Sequence, residues 1–169
     1  GCSPLTLPPS RRWTGDHLEL LDQRRLPGEV SFLKLHQWRD VAEAIATMAV
    51  RGAPAIGVAA AWGVVLAAQA NEDLDLAISM LKSSRPTAVN LGWALDRMKA
   101  SPAAQEPVDP QGLAAVAAAL EAEDRARTQT LVDYGVGLLA SGSRVLHHCH
   151  NGAIATAGVG TALGVIAAG

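Results

Sequence analysis

Apolar positions recur with different periods along this chain, and the changes of period mark its elements. In "DVAEAIATMAV", Val41, Ile45, Met48 and Ala49 share one helical face. Asp40 should open that helix, with Glu43 at capping-box distance. Gly52 should close it, as a residue free to take positive φ. The next stretch is of another kind: from Ala53 to Ala68 no side chain is charged. Pro54 suits the first turn of a helix running to about Ala70. A helix that is apolar all round belongs at the centre of a domain. Gly57 and Gly63 would let neighbouring helices approach it closely. A third helix carries Leu74, Ala77, Ile78 and Leu81 at helical spacing. "SSRP" breaks it, and "TAVNLGWALDRM" starts a fourth, with Leu91, Ala94, Leu95 and Met98 in one stripe. Pro102, Pro107, Pro110 and Gly112 make 101–112 a loop. A long helix follows from about Leu113 and ends at "ASGS".

The two ends read differently. Pro4, Pro8 and Pro9 make residues 1–12 a flexible lead-in. "HLELLD" and "VSFLKL" flank the turn-like "RRLPGE", which predicts two short strands in a hairpin-like arrangement. After residue 142, "RVLHHC" suits a strand, "HNGAIATAGVGTALG" a glycine-rich loop, and "TALGVIAAG" a helix. Strand, loop and helix open a βαβ unit. The expected fold is therefore α+β. A mainly helical N-terminal domain (13–141) with a small antiparallel β element precedes the first strand-loop-helix of an incomplete Rossmann-like α/β domain (142–169).

Composition narrows the class. With 49% apolar and 18% charged residues, the chain can bury a sizeable core. Aromatics are only 4%, which favours closely packed helices over a sheet sandwich. The net charge of −2 does not mark a nucleic-acid binder, and Arg11–Arg12 and Arg24–Arg25 read as solvated surface. Ala53–Ala68 is short of the roughly 20 apolar residues of a membrane span. The N-terminus lacks a basic region followed by an apolar core, so no signal peptide is expected. Cys2 and Cys149 form no zinc spacing and no disulfide framework, which fits a reducing, cytoplasmic setting.

Several features carry candidate chemistry. Gly152, Gly158, Gly160 and Gly164 do not form the dinucleotide fingerprint, because Leu163 stands where its last glycine would be. No Gly-Lys-Ser/Thr follows, which excludes a P-loop. "HHCH" (147–150) suggests metal, yet strand neighbours point to opposite faces and His17 and His36 are far off in sequence, so no metal site is expected. Cys149 reads either as a reactive thiol at the end of a strand or as an inert buried cysteine. Arg51 and Arg85 each stand just before a proline and a helix. An arginine there adds a charged fork to exposed backbone N–H groups, which suits a phosphate; surface charge is the plainer reading.

Taken in order, "LELLDQRRLP", "MAVRGAPAIGVAAAWG", "SSRPTAVNLGWALDRM" and "HCHNGAIATAGVGTALGVI" resemble the methylthioribose-1-phosphate isomerase family of methionine salvage. That family is related to the regulatory subunits of translation initiation factor 2B. The resemblance implies an aldose–ketose isomerase that uses no metal or nucleotide cofactor, acts on a small sugar phosphate, and is a cytoplasmic homodimer with no nucleic-acid or membrane partner. It implies that Arg51, Gly52 and Ala53 form the substrate-phosphate loop, that Arg85 contacts substrate, and that Cys149 is catalytic. The family has Asn where this chain has His150. Its catalytic Asp in "GAD", its Asn-Lys pair and a further glutamine have no match here, so a truncated and inactive form is expected. The alternatives are a non-catalytic initiation-factor-2B-like assembly module and a ribose-1,5-bisphosphate isomerase. The family chemistry explains the residue types. The anomeric oxygen carries phosphate, so ring opening cannot give a free aldehyde. A cationic C1 could accept hydride from C2, which needs an acid, a base and a pocket without water.

Overall fold

The computed structural model describes residues 9–140, 142–148 and 152–168. Three short strands, β1 (Arg11–Trp13), β2 (Leu18–Leu21) and β3 (Phe32–Leu35), form an antiparallel sheet in the order β1-β2-β3. The helices are α1 (Trp38–Ala46), α2 (Ala53–Gln69), α3 (Leu74–Ser83), α4 (Val89–Ala100), α5 (Pro110–Val136) and α6 (Ala162–Ala168). The two expected strands are present. β1 is an addition: Arg11, Arg12 and Trp13 pair with Leu20, Glu19 and Leu18, so the end of the expected flexible lead-in is ordered sheet.

α2 is the axis of the core. Every residue from Ala55 to Ala68 is buried, and α1, α3, α4 and α5 all pack on it. Its small residues make this possible. A Cβ added at Gly57 would lie 3.0 Å from the Asn90 carbonyl oxygen, and one at Gly63 would lie 3.2 Å from Leu81 Cδ1. Leu81, Leu91, Leu95, Met98 and Leu113 fill the space around it, all fully buried. Each such side chain contributes about 1.5–3 kcal/mol relative to exposure.

Several boundaries differ from expectation: α5 begins at Pro110, inside the expected 101–112 loop, because the Asp109 side chain caps it, and α1 and α2 differ as well. α1 starts at Trp38, with Gln37 as its N-cap, and Asp40 is the third helical residue, accepting from the Gln37 N–H at 3.2 Å. The capping box is real but three residues earlier, because Trp38 is buried and must belong to the helix. α1 then ends at Ala46, with Met48 at φ 61° making the left-handed turn. Gly52 is therefore not the stop of α1. It is the N-cap of α2, at φ +95°.

The C-terminal segment departs most. Residues 143–148 are exposed and irregular, so the described part of "RVLHHC" is not a strand. A parallel strand needs a neighbour to accept its ladder, and none of the described residues offers one. The glycine-rich loop does lead to a helix, and α6 packs on the end of α5.

Candidate functional site

The turn at Arg51–Gly52–Ala53 is built from both sides. Ala49 and Val50 are buried, and the Ala49 carbonyl accepts from the Gln23 N–H at 2.9 Å. This anchors the chain just before Arg51. Gly52 then turns into α2, and its carbonyl accepts the first helical bond from Ile56 at 2.9 Å. Two demands fall on Gly52. Its φ of +95° is one that L side chains rarely adopt, and an added Cβ would come within 2.5 Å of Ala155 Cα. Only glycine meets both. Ala53 is exposed at the N-terminus of α2, where free N–H groups and the helix dipole favour an anion. Arg51 is partly buried, and its Nε has no hydrogen-bond partner.

The segment pressed against Gly52 is the turn at 153–155, and side chains of the helical domain grip its backbone. Gln23 is 7% exposed, and its Nε2 donates to the Ile154 carbonyl at 3.0 Å and to the Arg51 carbonyl at 3.5 Å. It thus bridges the two loops. Further along, the Ala157 N–H donates to Asp124 Oδ2 at 2.7 Å, and Arg125 Nε donates to the Ala157 carbonyl at 3.2 Å. Arg11 Nη1 reaches the Thr156 carbonyl at 3.5 Å. The Arg11 side chain is only 2% exposed, and Glu121 lies 3.6 Å from its Nε. Burial pushes the Arg11 guanidinium below its ordinary pKa, while Glu121 and Asp124 push it back up. Gln23, Leu26, Pro27, Arg51, Ile154 and Ala155 line a cavity of about 230 Å³ between the loops.

The sequence-selected residues separate into three groups. Arg51, Gly52 and Ala53 form one turn. Arg85 lies between α3 and α4 and lines a different hollow, of about 410 Å³, with Lys82, Trp93 and Asp96. A narrow cleft lined by Pro54, Asn90, Trp93, Asp124 and Arg127 touches both neighbourhoods, since Pro54 follows Ala53 and Trp93 also lines the Arg85 hollow. Cys149, the expected catalytic thiol, and His150 lie outside the described residues. His147 and His148 are exposed. The glycine-rich loop ends in α6, whose seven residues are too few for a strong helix N-terminus.

Gln23, Arg11, Asp124 and Arg125 were not singled out as site residues by the sequence. Arg11 and Arg125 read as surface charge on any local criterion. The usable signal was at Gln23, a polar pair with Asp22 directly after the leucine-rich strand Leu18–Leu21. Both are buried. Local pattern cannot say that a loop about 130 residues later covers them.

The model of the initiation factor 2 subunit family matches residues 49–168. Methylthioribose-1-phosphate isomerase of Parasynechococcus marenigrum is 94% identical over 98% of this chain and 49% of its own length. The same-named protein of Xanthomonas campestris is 52% identical over 93% of this chain and 47% of its own length. This chain thus spans about half the length of the curated relatives it matches. Among solved structures, 5-methylthioribose 1-phosphate isomerase from Pyrococcus horikoshii superposes with a TM-score of 0.85 at 33% identity, covering 95% of this chain and 49% of that one. Translation initiation factor eIF-2B subunit delta from A. fulgidus gives a TM-score of 0.77 at 36% identity, covering 94% and 49%. The helices and three-stranded sheet are thus the N-terminal part of a shared architecture, and the chain belongs to the initiation factor 2 subunit family, on the side of its methylthioribose-1-phosphate isomerases.

Proposed function

We propose that this chain carries the phosphate-anchoring half of an aldose–ketose isomerase site that converts 5-methylthioribose 1-phosphate to 5-methylthioribulose 1-phosphate. The observation that carries the reading is the packing of Gly52 on Ala155, beside a cavity lined by Arg51 and bridged by Gln23. Arg51 and the first N–H groups of α2 hold the phosphate, with Gly52 and Ala53 shaping the loop. Arg85 contacts substrate from the α3–α4 turn, across the Trp93 cleft. Cys149, just upstream of the turn held by Gln23, acts as one of two catalytic groups. Fixing the phosphate spends binding energy on orientation, and the covered pocket keeps water from a cationic C1. Neither metal nor nucleotide is required by this chemistry. The relatives' names favour this reading over a regulatory module or a bisphosphate isomerase. A cytoplasmic homodimer completes the proposal, with sedimentation of the purified protein as its check.

The test is calorimetric titration with the sugar phosphate, paired with an assay for ketose formation. Arg51→Ala should weaken binding about tenfold or more, as expected for losing a charged hydrogen bond. Arg85→Ala should weaken it less. The 169 residues alone should bind substrate and form little ketose. Unchanged affinity in Arg51→Ala would sink the anchor. Rapid turnover by these residues alone would show that no second half is needed.

A further inference from the structure

We propose that Asp16, His17 and His36 form a binding site for a divalent transition-metal ion of the zinc, nickel or copper class, separate from the substrate cavity. His17 and His36 stand 19 positions apart in sequence, and the sheet brings them together. The last ladder pair of β2 and β3 is Leu18 opposite Leu35. Continuing that antiparallel register by one step sets His17 opposite His36, which places their side chains on one face. The imidazole rings lie 4.7 Å apart, centroid to centroid, at 30°. Asp16 joins them from the β1–β2 turn, where Gly15 at φ +105° permits the tight reversal. One potential donor atom from each of the three residues lies within 4.8 Å of the others.

The donor set is two imidazoles and one carboxylate, which suits these borderline ions and leaves open positions for water. Asp16 Oδ1 is already 2.7 Å from His17 Nδ1. Two ligand atoms on a tetrahedral zinc stand about 3.3 Å apart. An ion replacing the shared proton therefore needs only a small opening there. Asp16 and His36 are both exposed, and Thr14 Oγ1, now 2.7 Å from Asp16 Oδ1 and 2.9 Å from His17 Nδ1, would give up both atoms to the ion. The other nitrogen of the His17 ring supplies an independent observation. Nε2 is shielded from solvent with no hydrogen-bond partner, and it faces Glu19 Oε1 at 3.7 Å. With metal at Nδ1, the proton resides on Nε2 and points at that carboxylate. Closing that 3.7 Å gap by a few tenths of an ångström would give the carboxylate–histidine–metal arrangement that fixes a ligating ring. None of these residues lines the Arg51 cavity. The ion would instead tie the β1–β2 turn to the end of β3 and stabilise the native state by mass action.

Titration of the 169-residue chain with Zn²⁺, and with Co²⁺ followed by its visible absorption, tests the site. One equivalent should bind and raise Tm. His36→Ala, an exposed and foldable variant, should weaken binding about tenfold or more. Asp16→Asn should weaken it as well. The double variant His147→Ala/His148→Ala should bind like the wild type. Absence of binding, unchanged affinity in His36→Ala, or loss of binding in the His147/His148 variant would each overturn the proposal.

Discussion

α2 and α6 are both apolar helices entered from glycine-containing loops, yet they occupy opposite surroundings. α2 is surrounded by four helices and buries every position from Ala55 to Ala68. α6 has α5 as its main packing partner and fully buries only Gly164, while Leu163 and Ile166 stay exposed at 39% and 37%. The same contrast runs along α5. Its first half presents Leu113, Ala117 and Leu120 to the core, whereas Leu131 and Tyr134 in its second half are exposed. An apolar sequence states a demand for burial. Whether the demand is met depends on how many elements arrive to cover it. The loop between these two regions is where they join, through Gly52, Gln23, Arg11 and Asp124.

The largest expected effect contrasts the two regions directly. Leu95→Ala empties a fully buried position and should cost about 2–5 kcal/mol in urea unfolding. Leu163→Ala on α6 should cost under about 1 kcal/mol, since much of that side chain is already in water. Equal costs would erase the distinction between the two helices. Next is Gly52→Ala, with a strained φ worth about 1–3 kcal/mol and the clash with Ala155 on top. Its signature is local: hydrogen exchange should quicken over 152–158 while α2 stays protected. Exchange that quickens equally everywhere would mean the loop and the core are one cooperative unit.

Gln23→Met keeps the volume and removes the donor to the Ile154 and Arg51 carbonyls. About 1 kcal/mol should be lost, again with faster exchange at 152–158. The smallest effect is acid-dependent. Hydrogen bonds from Arg24 hold the Asp22 carboxyl below its ordinary value of 3.8, so the unfolded chain takes up that proton first as pH falls. Stability from this group is therefore full above the unfolded pKa and is lost as pH falls towards the folded one. Thermal melts from pH 6 down to pH 3 should show a shallower decline for Asp22→Asn than for the wild type. Parallel declines would assign the acid sensitivity elsewhere.

Much of the helical domain could be read in advance because its signals are local. The 3.6-residue spacing of Leu74, Ala77, Ile78 and Leu81 and the unbroken apolar run of α2 each demand one structure, and both form it. β1 was hidden because Arg11 and Arg12 carry charge in a three-residue strand whose stability comes from pairing with β2. The described part of the predicted strand, 144–148, misled in the other direction: its strand propensity is real, but propensity does not supply a ladder.

By itself, then, the sequence determined the helices and the central place of α2, and it singled out Arg51 and Gly52 as a turn between two of them. It also carried the family, through motifs whose order is kept along the chain. Tertiary structure alone decided what those residues face. It set Ala155 against Gly52 and passed Gln23 between two loops. It placed Arg85 in a hollow apart from Arg51, and it stood His17 opposite His36. The physical reason is that backbone propensity and hydrophobic period act over a few residues, whereas a site is made by side chains that packing brings together from far apart.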